Sequence, residues 1–324
     1  MDFFASEPFL TSLAKEFHHA KDFLIKTYEI DGRIVRLAEI NGRRTILTGP
    51  FYDYVKPLPS NHGATHGALK FIPSVVTSTI PLAGPKPNGY QLGTGQDPAP
   101  LIVWSGFSTW EAYEELLKER DKGLLRVMRR RRAKLLSEHG VPAYLFDDRN
   151  IEALEMLFTW KREQYEGGHE TLQDPRALAM LRHLFEDGHL VVSSLKIRDQ
   201  YVAVQAGFLW RGDYLALIPA YDPAFAKYGV GKELLLRMLE DSYRKGHKSF
   251  DLLQGAEPYK FDFATHLQII ESLGTPPLAY WVRSRAQAAA KAALVRVSPR
   301  LFYGVKRAVL AARRLRTSMK AEKS

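Results

Sequence analysis

Two glycines and two lysines mark the turn between an apolar run and a helix-patterned run. Residues 214–221 (YLALIPAY) have strand character, the chain continues YDPAFAKYGVG, and apolar spacing predicts a helix from Gly229 to Arg244. A Gly-rich turn that opens a helix presents unpaired backbone N–H groups and a positive dipole end to an anion. Gly229 and Gly231 allow close approach to the backbone, and Lys227 and Lys232 flank them. We read Lys227, Tyr228, Gly229, Val230, Gly231 and Lys232 as a pyrophosphate seat. A second strand is predicted over 248–253, leading into the string DLLQGAEPYK, where Asp251, Glu257, Tyr259 and Lys260 concentrate titratable groups.

The elements around this segment set its frame. The 324 residues suffice for two domains, and an apolar share of 45% supports real cores. Cysteine is absent, which excludes disulfides, thiolate metal sites and a cysteine nucleophile. Of 46 basic and 36 acidic residues, 12 and one lie in 281–324, leaving 34 and 35 elsewhere. The formal charge of +10 therefore belongs to the tail, which points to a surface anchor rather than to nucleic acid.

Residues 22–51 read as a meander turned at Asp31-Gly32 and Asn41-Gly42. Pro- and Gly-rich residues 56–100 predict short strands and long loops, closed by a strand at 100–104. A helix capped by Ser108 or Thr109 follows, then a basic stretch to about Glu138 with Arg126 and Arg129 to Arg132. Its arginines form either a solvated helix face or a basic wall toward an anionic substrate. Beyond it the pattern predicts a strand (142–146), helices (149–166 and 175–187), and strands at 189–197, 201–210 and 214–221 joined by tight turns at Arg198-Asp199 and Arg211-Gly212. With the helix from Gly229 and the strand to Leu253, the order is β-α-α-β-β-β-α-β.

That order resembles the core of the GNAT acyltransferase fold, an α/β (mixed α+β) architecture with a mostly antiparallel sheet flanked by helices. Gly229 and Gly231 take the glycine positions of its acyl-CoA loop. Ala226 stands where that family carries glutamine or arginine, with Lys227 next to it. Residues 113–262 further resemble the CelD/BcsL group, associated with cellulose and exopolysaccharide biosynthesis. The matching residues are Trp160-Lys161 with Gln164-Tyr165, Val202-Ala203, Tyr221-Asp222, Phe250-Asp251 and Gly255-x-Glu257-x-Tyr259-Lys260. Lys227-Tyr228-Gly229 departs from that group's Ser-Pro-Gly. The related FemABX transferases pair two GNAT-like halves, which implies three parts here: a degenerate first half (1–112), a GNAT domain (113–282) and a basic tail (283–324).

The resemblance implies transfer of an acyl group, acetyl by expectation, from acyl-CoA to an amine or hydroxyl of a sugar, polysaccharide or cell-envelope precursor, without a metal. Such transfer needs a held donor, a polarised carbonyl, a base and an acid. Strand 214–221 is placed to supply N–H groups to the carbonyl. Asp251, Glu257 and Asp222 are candidate bases, because burial raises a carboxylate's pKa toward neutrality. Tyr259 is the candidate acid. Trp160 shares a helix face with Gln164, and Lys161 with Tyr165. These four, with Tyr221, Asp222 and Lys260, are the candidate acceptor contacts. Two alternatives stand beside this one: a FemX-like transferase using aminoacyl-tRNA, and a non-catalytic scaffold.

Other patterns carry less. His62 and His66 have helical metal spacing, but Gly63 and Gly67 argue against a helix. Gly93-Thr94-Gly95 opens no suitable helix, and Ser105-Gly106 lacks a nucleophile elbow. No signal peptide and no run of 18 apolar residues is read, so the expected location is cytoplasmic. The tail, broken at Pro299, predicts two amphipathic helices with Leu301, Val305, Val309 and Leu310 on one side. That pattern suits an anionic membrane surface at the inner face.

Overall fold

The computed structural model describes residues 3–18, 23–40, 43–46, 49–59, 62–64, 69–82, 92–93, 95–164, 170–278 and 282. The expectations for the tail, Tyr165 and His66 lie outside these residues.

After α1 (Glu7–Leu13), hairpin chemistry sets a small antiparallel sheet of β1 (Phe23–Ile30), β2 (Arg33–Ile40) and β3 (Arg43–Ile46). Asp31 and Gly32 turn β1 into β2 with φ of 47° and 71°. Asp-Gly accepts that conformation readily.

The main sheet has eight strands. Its first two are β4 (Phe71–Pro81) and β5 (Asp97–Val103). The helices α2 (Trp110–Arg120) and α3 (Leu124–His139) follow, the first capped by Thr109 Oγ1 accepting from Ala112 N at 3.1 Å. Asp121 Oδ1 separates them by accepting from the N–H groups of Gly123 and Leu124. Then come β6 (Ala143–Leu145), α4 (Ile151–Gln164), α5 (Pro175–Glu186), β7 (Leu190–Ile197), β8 (Gln200–Trp210) and β9 (Asp213–Tyr221). The chain ends its described part with α6 (Val230–Arg244), β10 (Ser249–Asp251), α7 (Pro258–Phe263) and β11 (His266–Gly274). The sheet order is β4-β11-β5-β10-β9-β8-β7-β6, antiparallel except between β9 and β10. The expected mixed, mostly antiparallel sheet flanked by helices is therefore present. β4 and β5 belong to the same sheet as the later strands, and the expected boundary at 112/113 falls inside α2.

β4 and β10 depart most from their expected lengths. β4 is one 11-residue strand where the Pro- and Gly-rich pattern predicts short strands and loops, because Pro73 and Pro81 interrupt its sequence. Proline is tolerated there because β4 is a sheet edge. β10 stops at Asp251 rather than Leu253. Beyond it β5 offers Pro100 and Pro98, which lack N–H groups and only accept, from Leu252 N and Gly255 N.

Alternation along β7 sends Leu190 and Val192 to one core and Val191, Leu195 and Ile197 to the other. The first core holds α4, α5 and the N-terminal aromatics, with Phe3 stacked on Phe208 at 4.1 Å. The second holds α2, α3 and α6.

Candidate functional site

A fork opens between β9 and β10. Their parallel pairing covers only Ser249↔Asp213 to Asp251↔Leu215, so β9 from Ala216 onward has no strand on that side. Against β8, the register shifts between Ala206↔Ile218 and Gly207↔Ala216, leaving Leu217 bulged out of the ladder. A cavity of ≈ 320 Å³ fills the fork, with Ala216 to Pro219 on one wall and Leu252 to Gln254 on the other. Backbone groups on an unladdered edge must find other partners. A thioester carbonyl is one such partner.

The remaining walls are charged. Lys161 from α4, Glu257, Tyr259 and Lys260 line the cavity, joined by Asp53 from the segment before β4. Asp53 Oδ2 accepts from Gln254 N at 2.9 Å. Burial pushes the Asp53 carboxyl up to about 6, against the opposing effects of that hydrogen bond and the Lys260 charge. Burial likewise pulls the Lys161 ammonium down to about 8, with the Glu257 charge opposing. Lys161 is 7% exposed. Both groups are held where their charged forms are disfavoured, a pattern that clusters at functional sites.

Lys260 pins the turn that shapes this wall. Its Nζ donates to the carbonyls of Leu253 (3.2 Å) and Gln254 (2.9 Å) and pairs with Glu257 Oε2 at 3.1 Å. Gly255 has φ +139°, and a Cβ there would collide with Glu257 Oε2 and stand 2.8 Å from Lys260 Nζ. Only glycine fits. Glu257 precedes Pro258 as the N-cap position of α7 and keeps its side chain 56% exposed. Tyr259, the second residue of α7, is half-buried.

The turn expected to seat an anion follows β9. Asp222 caps a 3₁₀ turn (Pro223–Tyr228) by accepting from Ala224 N at 2.8 Å. Gly229 then takes a left-handed conformation (φ 68°, ψ 34°) and starts α6 with no side-chain cap. Gly231 abuts the Tyr221 ring, whose Cδ1 would lie 3.2 Å from a Cβ at that position. Arg131 of α3 crosses the opening, with Nη1 3.4 Å from where a Gly229 Cβ would stand. One arginine of the basic run thus adjoins the helix N-terminus, near the turn where Ala226 lacks a polar side chain.

Several expected contacts are redistributed. Asp251 is fully buried and accepts from Tyr54 Oη, Lys56 Nζ (3.2 Å) and Leu253 N (2.9 Å). With its oxygens so engaged it is an anchor for residues 51–56, not a cavity base. Asp222 serves the turn and also accepts from Gln200 Nε2. Trp160 packs in the first core, because it shares the sheet-facing side of α4 with Leu157, whereas Lys161, turned about 100° on, reaches the cavity. Tyr228 turns inward, donating to Glu138 and standing 2.9 Å from His139 Nε2, and Val230 is core. Their backbones, not their side chains, border the seat. Lys227 lies over the Tyr228 ring, and Lys232 pairs with Asp262 at 2.7 Å. Tyr165 lies outside the described residues, as does the side chain of Gln164. Asp53 carries no sequence signal, since it belongs to no motif and meets Gln254 across 201 residues.

Residues 122–261 match the family model described as acetyltransferase (GNAT) domain. That span runs from α3 through the anion seat and the fork to α7. No curated protein matches the chain. Among solved structures, a conserved protein of unknown function from Bacteroides thetaiotaomicron VPI-5482 is 12% identical, with 84% of this chain and 90% of that chain covered and a TM-score of 0.46. FemX is 10% identical at the same TM-score of 0.46, covering 84% and 91%. A tandem GNAT protein from the clavulanic acid biosynthesis pathway is 8% identical, covering 76% and 80%, with a TM-score of 0.34. At such identities and scores the likeness says nothing about substrate. Among the described residues, no helix is long and apolar enough to cross a membrane, and no group of three His, Asp or Glu is placed to hold a metal.

Proposed function

We propose that this protein transfers an acyl group from acyl-CoA to an acceptor bound in the charged half of the fork cavity. The observation that carries the reading is the fork itself. β9 offers an unladdered edge at Ala216 to Pro219, and two residues further on Tyr221 abuts the uncapped start of α6. An extended donor can lay its pantetheine arm in the fork and its pyrophosphate against Gly229 to Lys232, beside Arg131. Backbone N–H groups between Ala216 and Ile218 polarise the thioester carbonyl. Tyr259 protonates the departing thiolate. Glu257 and Lys161 contact the acceptor, for which the resemblance to the CelD/BcsL group suggests a sugar or cell-envelope precursor.

Calorimetric titration with acetyl-CoA tests this reading. Binding that is lost in Gly231→Trp and weakened in Arg131→Ala supports it. A folded parent that binds no acyl-CoA would turn attention to aminoacyl-tRNA or to a scaffold without chemistry.

A further inference from the structure

We propose that Asp53, carried in by the segment before β4, is the general base that takes the acceptor's proton. The inference rests on the acyl-CoA reading and assigns the base to a residue outside the stretch that matches the GNAT domain.

Geometry separates Asp53 from the other carboxylates. Asp251 is spent on three donors. Glu257 is exposed and paired with Lys260. Asp53 lines the cavity, and Gln254 N holds its Oδ2. Among the described residues no hydrogen bond reaches its Oδ1. The single backbone donor fixes the carboxylate and leaves one oxygen for the acceptor. The charges around it are Lys260 on α7, Asp251 at the end of β10 and Glu257 just before α7, with Lys161 of α4 also lining the cavity. Burial outweighs them and raises its pKa to about 6. At that value it is largely ionised at neutral pH and still basic enough to accept a proton.

Asp53 is also held in place. Its neighbours Tyr54 and Lys56 both bond Asp251, at the end of β10. Asp251 is thus a positioning residue, which ties residues 53–56 to the fork.

For an amine acceptor the step balances simply. The ammonium gives one proton to Asp53, which releases it to water. The nitrogen lone pair forms the C–N bond and the C–S bond breaks. A second nitrogen proton reaches the sulfur by way of Tyr259. The products are the amide, the free thiol of CoA and one proton.

The test compares the parent with Asp53→Asn, using the whole chain. Acetyl-CoA affinity is measured first and is expected to change less than twofold. Thiol release from acetyl-CoA is then followed against pH with glucosamine, protonated at the acid end, and with hydroxylamine, neutral through most of the range. The parent should show an acid limb near pH 6 with glucosamine. Asp53→Asn should lose that limb and about 100-fold in rate, the usual weight of a general base, while hydroxylamine loses far less. An unchanged limb, or equal losses with both acceptors, overturns the proposal. If the parent uses neither acceptor, difference infrared spectroscopy decides. A carboxyl band titrating near 6, absent from Asp53→Asn, supports the assignment. A band at the ordinary carboxylate position overturns it. Failure of the parent to bind acetyl-CoA would instead refute the acyl-CoA reading.

Discussion

Gln254 N–H donates to Asp53 Oδ2 at 2.9 Å, across 201 residues of chain. The bond joins the segment before β4 to the turn that follows β10, and the candidate cavity lies at that junction. The GNAT-matching stretch therefore does not build the whole site. Its charged wall includes a residue from the first sixth of the chain.

This junction makes stability depend on pH in a stated direction. Asp53 titrates at about 6 in the fold and at 3.8 when unfolded, so between these values the folded state binds more protons. Asp53's contribution is then fully favourable below about 3.8 and is lost as pH rises through about 6. Asp53→Asn should be more stable than the parent at pH 8, on the order of 1–3 kcal/mol. The gap should close near pH 4. Chemical denaturation at the two pH values checks this, and an equal gap at both would contradict it.

Lys161 gives the mirror case. Its ammonium titrates at about 8 when folded against 10.5 when unfolded, so its burden is complete below pH 8 and lifts as pH approaches 10.5. Lys161→Met should raise the melting temperature at pH 7 and lower any transfer activity. A melting temperature that falls sharply would mean Lys161 supports the fold instead.

Asp251 should behave oppositely to Asp53. Asp251→Ala removes the buried acceptor shared by Tyr54 Oη, Lys56 Nζ and Leu253 N, so a loss of about 1–3 kcal/mol is expected. Denaturant unfolding measures it. A loss below about 1 kcal/mol would remove the anchor role.

Gly255→Ala should distort the turn that Lys260 pins. The strain of φ +139° with a side chain, plus the collision with Glu257, is expected to cost about 1–3 kcal/mol. Transfer should drop more than stability does. A variant with parental stability and rate would show that the turn adapts.

The sequence carried the β1–β2 hairpin and the later strands of the main sheet well, because these elements are local. Period-two and helical patterns, Asp31-Gly32 and the polar turns at Arg198 and Arg211 all act within a few residues. The turn that opens α6 was legible for the same reason, since Gly229 needs its left-handed backbone locally. The fork was not, because it arises where Pro98 and Pro100 of β5 meet the chain after β10. Arg131, one of several arginines on α3, became particular only when the fold set it beside Gly229. Asp53 was invisible for the reason already given by its partner: only tertiary structure brings it to Gln254. Asp251 misled because a carboxylate at a strand end looks alike whether it faces a cavity or three donors.

Calorimetric titration of the full chain with acetyl-CoA tests the donor site. Binding should be saturable and fall at least tenfold in Gly231→Trp, about 1.4 kcal/mol, and several-fold in Arg131→Ala, with both variants folded. Binding that survives in both variants would contradict the seat at Gly229 to Lys232, and a folded parent that does not bind would contradict the acyltransferase reading itself.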